Sequence, residues 1–91
     1  MGRYTVIFSK KAVEQARMIQ ASYPESTKKR LQRIVRELEE HPFSGIGKPE
    51  ALRGIPLWSR RLTQKDRVTY RVAQDVVEVL VLTCLGHYDD K

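Results

Sequence analysis

Cutting RNA beside a 2′-hydroxyl takes three groups: a base to free that hydroxyl for attack, an acid to protonate the departing 5′-oxygen, and a cation to steady the extra charge on the phosphate. Glu50, His87 and Arg67 supply those three types. Glu50 follows Pro49 in the stretch Gly45-Ile46-Gly47-Lys48-Pro49-Glu50-Ala51-Leu52-Arg53-Gly54, where the proline stiffens the backbone beside it. Arg67 opens Arg67-Val68-Thr69-Tyr70-Arg71-Val72, and strand alternation puts Arg67, Thr69 and Arg71 on one face. His87 stands in a His-Tyr pair near the C-terminus, and histidine is the side chain type whose ordinary pKa lies nearest neutral pH. Each residue also has an ordinary reading. A loop glutamate is usually a solvated charge, a sheet arginine is usually paired with a surface carboxylate, and a His-Tyr pair so near the end is usually a tail.

Other chemistries fit less well. The glycines match no G-x-x-x-x-G-K-[S/T] phosphate loop and default to turns; there is no H-E-x-x-H, no spaced carboxylate cluster and no nucleophile elbow. Asp89 and Asp90 beside His87 read as an acidic terminus rather than metal ligands. No metal and no cofactor is expected. In Trp58-Ser59-Arg60-Arg61-Leu62, Trp58 and Arg60 share one face and Ser59 and Arg61 the other. Trp58 reads as a core anchor and the two arginines as solvated charges, suited to phosphates if a binding loop lies near.

These residues need a scaffold, and the pattern supplies one. Arg3 to Phe8 is rich in β-branched and aromatic residues and reads as a strand. Ser9 is a natural N-cap for a helix from Lys10 to about Ser22, with apolar residues at Ala12, Val13, Ala16 and Ile19. Ser22 and Glu25 stand in a capping-box relation that opens a second helix, to about His41, striped by Leu31, Ile34, Val35 and Leu38. Its remaining faces carry Lys28, Lys29, Arg30, Arg33 and Arg36, then Glu37, Glu39 and Glu40, and Pro42 ends it. His41 to Pro56 is a loop, long for so small a domain and therefore a place for function. Three strands follow, Trp58–Thr63, Arg67–Ala73 and Val76–Thr83, with breaks short enough for antiparallel pairing. The expectation is a single α+β domain, β-α-α-β-β-β, with an antiparallel sheet and a helical hairpin packed on one face.

Composition bounds the partners. The 91 residues make one domain with one modest core. Seventeen Lys and Arg against eleven Asp and Glu leave a net charge of +6, which favours polyanions without choosing among nucleic acid, an anionic membrane and an acidic protein. The lone Cys84 lies in an apolar run, so it reads as a buried structural thiol, and a reduced, cytoplasmic compartment fits. No apolar run approaches the roughly 20 residues of a membrane span, so no membrane partner is expected.

Taken in order, Lys48-Pro49-Glu50-Ala51-Leu52, Trp58-Ser59-Arg60-Arg61-Leu62, Arg67 with Tyr70, and His87-Tyr88 resemble the YoeB family of bacterial toxins, within the RelE-like group. Pro42-Phe43-Ser44-Gly45 and the strand-helix-helix start fit as well, so the resemblance spans essentially the whole chain. It implies an mRNA interferase that cleaves mRNA in the ribosomal A site and is held inactive by a YefM-like antitoxin. It also implies Glu50 as general base, His87 as general acid and Arg67 as transition-state cation, with Tyr88 in the active site and Lys48, Arg53 and Arg61 as RNA contacts. Such toxins often form homodimers, and they reach operator DNA only through the antitoxin complex. Three features depart from the family pattern. Leu85 stands where a basic residue is usual before His87, Asp66 where a histidine is usual before Arg67, and Asp89-Asp90-Lys91 extends the end. The first two bear on RNA affinity.

Two other readings remain at this level. One is a toxin of the same scaffold with another target, such as gyrase for the ParE group. The other is a basic module that binds nucleic acid without cutting it.

Overall fold

The computed structural model describes residues 3–86. The chain runs β1 (Thr5–Phe8), α1 (Lys10–Ser22), α2 (Glu25–Glu40), β2 (Glu50–Ala51), β3 (Trp58–Arg61), β4 (Arg67–Ala73) and β5 (Glu78–Thr83). Ser9 caps α1 as expected, accepting the Ala12 N–H at 3.1 Å, a contact worth about 1 kcal/mol. Its hydroxyl also donates to the Leu82 carbonyl at 2.9 Å, tying the helix start to β5. The capping box does not form. Ser22 is the last residue of α1, and Pro24 (φ −59°) occupies the N-cap of α2 with no side-chain cap bond. Proline's fixed φ suits a helix start, so α2 begins without the serine.

One five-stranded sheet has the order β1-β5-β4-β3-β2. From β2 to β5 each pair is antiparallel, as the short breaks suggested for the last three strands. β1 departs from the expected antiparallel sheet: it lies parallel to β5, Thr5 opposite Glu78 and Phe8 opposite Val81, so the sheet is mixed. Only hairpin-linked neighbours are forced to run antiparallel, and the long connection from β1 to β5 through α1, α2 and three strands frees β1 from that constraint. β2 is an addition inside the stretch expected to be loop throughout. β3 stops at Arg61, and the Leu62 and Thr63 N–H groups turn back to the Asp66 carbonyl.

Both helices cover one face. Ala12 and Ile19 of α1, with Leu31, Ile34 and Leu38 of α2, meet Val68, Tyr70, Val79 and Val81 in one buried cluster. Cys84 belongs to it and is fully buried, in keeping with a structural thiol; burial pushes its pKa up to about 11. The opposite face is open to solvent at Glu50 and Arg61, while Ser59 and Thr69 on it are buried. Register places Glu50, Ser59 and Thr69 in line across β2, β3 and β4 on that face, with Arg61 opposite Arg67 beside them. A bulge between Thr69 and Tyr70 interrupts the β4–β5 ladder next to this row, as bulges near binding sites often do.

Candidate active site

The loop before Glu50 is built around one buried cation. Arg60 faces the core side of β3, opposite Val68, and its side chain is fully buried. A guanidinium taken out of water must have its donors satisfied. Nη1 donates to Glu37 Oε1 at 2.7 Å and to the Ile46 carbonyl at 3.4 Å. Nη2 donates to the carbonyls of His41 at 2.5 Å and Ser44 at 2.7 Å. Nε donates to Tyr70 Oη at 3.2 Å, and that hydroxyl donates to the Pro42 carbonyl at 2.7 Å. Residues 41–46 thus wrap round a single charge. The arginine expected to be solvated is instead the centre of the loop.

Glu37 completes the cage, accepting the Ile46 N–H at 2.9 Å and an Arg33 contact at 3.3 Å. Burial pushes its carboxyl up, but the Ile46 N–H, Arg60 and Arg33 outweigh that and leave its pKa below the usual glutamate value. Burial raises the Tyr70 hydroxyl, against the pull of Arg60. Gly45, at φ +131°, is required here. A Cβ on it would run into the Glu37 carboxylate and lie 2.8 Å from Arg60 Nη1.

The loop then turns at Lys48, whose φ of +50° is unusual for a side chain other than glycine. The Arg61 N–H holds the Gly47 carbonyl at 2.7 Å just before that turn. Glu50 follows in β2, exposed, and reaches over β3 to Arg67: Oε1 to Nη1 is 3.0 Å. The same Nη1 donates to Ser59 Oγ at 3.2 Å, so the buried serine beneath holds the guanidinium. Arg67 is 28% exposed against 59% for Glu50, a half-buried cation beside a reachable carboxylate. Arg61, exposed and opposite Arg67, adds a second positive group on this face. Its carbonyl accepts from Arg30 of α2 at 3.2 and 3.1 Å.

The other expected site residues divide. Lys48 is exposed at its turn two positions before Glu50, and Arg53 is exposed in the turn after β2, outside the contacts that join Glu50 to Arg67. Trp58 is half-buried and packs its ring 5.0 Å from Phe43, which fits the anchor reading only in part. His87 and Tyr88 lie outside the described residues, as do Asp89, Asp90 and Lys91.

The chain just before His87 is held by side chains. Gln15 Oε1 accepts the N–H groups of Cys84 at 2.7 Å and Leu85 at 3.2 Å. Asp66 Oδ1 accepts the next one, from Gly86, at 2.8 Å, while the Arg67 N–H donates to the Gly86 carbonyl at 2.7 Å. Asp66 Oδ2 takes the Thr63 hydroxyl at 2.9 Å, and the residue is buried. Asp66 therefore carries a structural load that its reading as an altered RNA contact did not include.

Glu37 and Gln15 were not singled out from the sequence, while Arg60 was read only as a solvated charge suited to phosphates and Asp66 only as a departure bearing on RNA affinity. The one available signal was an arginine at a core-facing strand position, since Trp58 and Arg60 share a face and Trp58 reads as core.

What the geometry offers is an anion-binding arginine pair with a proton acceptor in contact with one of them, on an open sheet face. Against this geometry the comparisons with known proteins are specific. Residues 5–88 match the family described as the YoeB-like toxin of the bacterial type II toxin–antitoxin system. The toxin YoeB of Mycobacterium bovis is 44% identical over 64 residues, 68% of this chain and 73% of that protein. The YoeB/ParE toxin from Agrobacterium tumefaciens superposes with a TM-score of 0.84 at 28% identity, covering 92% of this chain and 99% of that one. The toxin in the heterotetrameric YoeB–YefM toxin–antitoxin complex from Staphylococcus aureus gives a TM-score of 0.78 at 26% identity, covering 94% and 99%.

Proposed function

The chain belongs to the YoeB-like toxins of bacterial type II toxin–antitoxin systems, and from that membership we propose that it is a ribosome-dependent endoribonuclease that cleaves mRNA in the A site without a metal. The observation that carries the reading is the Glu50–Arg67 contact on the open sheet face, flanked by Arg61. RNA phosphate competes with Glu50 for the Arg67 guanidinium. When the phosphate takes those donors, the carboxylate is released beside the nucleotide. Glu50 then removes the 2′-hydroxyl proton, and the 2′-oxygen forms a bond to phosphorus. The bond from phosphorus to the 5′-oxygen breaks, His87 protonates that oxygen, and the products are a 2′,3′-cyclic phosphate and a 5′-hydroxyl. Arg67 and Arg61 bear the charge that builds on the phosphoryl oxygens. Lys48, Arg53 and Tyr88 take the supporting RNA and active-site contacts.

The partner in this reading is a YefM-like antitoxin. The +6 charge favours an acidic, partly disordered segment that folds on binding, and the Staphylococcus aureus relative is found in a heterotetrameric YoeB–YefM complex. A homodimer, and operator binding only through the antitoxin complex, complete the proposal. Among the described residues no helix is long and apolar enough to cross a membrane; a cytoplasmic location follows from the ribosomal target.

The test is cleavage of a defined mRNA on programmed ribosomes, mapped by primer extension, with naked RNA in EDTA as a control. Wild type gives a discrete cut in the A-site codon, while Glu50→Ala and His87→Ala each slow it by about 10²–10⁴-fold. A folded wild-type protein that leaves mRNA intact and instead poisons gyrase would replace this reading with a ParE-like one.

A further inference from the structure

The three N–H groups that follow β5 are each captured by a side chain, and the last capture lies next to Arg67 of the candidate site. Gln15 from α1 takes Cys84 and Leu85, and Asp66 takes Gly86. The Gly86 peptide is held at both ends by neighbouring residues. Its N–H goes to the Asp66 carboxylate and its carbonyl receives the Arg67 N–H. Arg67 is the residue whose guanidinium contacts Glu50. The carboxylate itself is constrained. It is buried in the β3–β4 turn, its second oxygen accepts from Thr63, and the Thr63 hydroxyl in turn accepts the Asp66 N–H at 3.0 Å. Gly86 has φ +75°, with open space around the position a Cβ would take, so its left-handed backbone rather than lack of room calls for glycine. The next residue in the chain is His87.

From this arrangement we infer that Asp66 is a positioning residue for His87: its carboxylate fixes the peptide from which the general acid departs, in register with Arg67. The inference rests on the proposed role of His87. It assigns a reason for a carboxylate at this position, since a short, buried acceptor aimed at a backbone N–H is what the turn supplies. A general acid must meet the leaving oxygen within hydrogen-bond reach, and an error near 1 Å in placement costs about 10²-fold in rate. Gln15 acts earlier along the same segment and shares the load.

The experiment is a double-substitution cycle in the ribosomal cleavage assay, on the full chain, with folding checked by circular dichroism. Asp66→Ala is expected to lower kcat by about 10–10²-fold with KM nearly unchanged. Asp66→Asn keeps an oxygen for the Gly86 N–H and recovers most of the rate. The decisive arm is Asp66→Ala in the His87→Ala background, where no further loss is expected because the acid is already gone. An equal loss in both backgrounds, or a wild-type rate for Asp66→Ala, overturns the inference while leaving His87 as the acid. A wild-type rate for His87→Ala removes the acid assignment itself and the inference with it. If Asp66→Ala fails to fold, Thr63→Val replaces it, deleting only the hydroxyl that holds the carboxylate. Amide exchange at Gly86 is the second reading: faster exchange in the variant is expected, and unchanged exchange counts against the clamp.

Discussion

Glu50 and Arg67 sit on strands that do not pair with each other, yet their side chains meet at 3.0 Å across β3. β2 and β4 flank β3, and Ser59 at its centre gives the guanidinium a second acceptor. In the proposed mechanism these two are the base and the cation, held in one unit before RNA arrives, and substrate must part them.

That unit depends on the fork of an arginine. Arg67→Lys keeps the charge but cannot present the same planar donors to Glu50, Ser59 and a phosphate. Single-turnover cleavage on programmed ribosomes should fall by about 10²-fold, close to the loss of one preorganised donor. A rate within threefold of wild type would show that charge alone suffices.

The cage around Arg60 makes a separate prediction about stability. Glu37→Gln leaves a fully buried guanidinium without its counter-charge, with only carbonyls and the Tyr70 hydroxyl as acceptors. The cost should be about 3 kcal/mol in urea unfolding. Because residues 41–46 wrap this charge and lead to Glu50, cleavage should fall as well, and a variant as stable as wild type would contradict the account.

Acid should act through the same carboxylate. Glu37 has a lowered pKa in the fold, so the unfolded chain binds its proton first as pH falls. Its contribution to stability is complete above the ordinary value of 4.5, and is lost as pH drops below that toward the folded value. Unfolding titrations between about pH 6 and pH 3 should show a loss that is absent in Glu37→Gln.

Cys84 is buried and its thiol is pushed up to about 11, so little thiolate exists at neutral pH. Iodoacetamide should leave the native protein unlabelled at pH 7.5 and label it fully in urea. Rapid labelling of the folded protein would show that the segment after β5 opens readily.

Much of this fold is legible in the sequence where local pattern and tertiary environment agree. The Leu31, Ile34 and Leu38 stripe and the Ser9 cap describe a face that is buried and an end that is capped in the structure, and alternation in β4 puts Val68 and Tyr70 in the core, although Thr69 between them is buried as well. β2 was hidden because two residues cannot show a period, and its strand character comes wholly from pairing with β3. The parallel direction of β1 was hidden because no hairpin ties it to its neighbour. Arg60 was misread because adjacent arginines look alike until alternation turns one inward. At the site, Glu50 and Arg67 are brought together and Arg61 is set beside them, whereas nothing local in Asp66 announces that its partner is Gly86.

The pairing of β1 with β5 also bears on how such a protein is made. The Ser9 hydroxyl reaches the Leu82 carbonyl over 73 positions, and among the described residues β1 has no strand neighbour other than β5. A chain synthesised from its N-terminus therefore carries β1 unpaired until β5 has left the exit tunnel, and the Gly86 clamp closes later still. A nascent chain that still lacks β5 has no partner for β1, so the sheet that carries the candidate site is not assembled before that strand has been made.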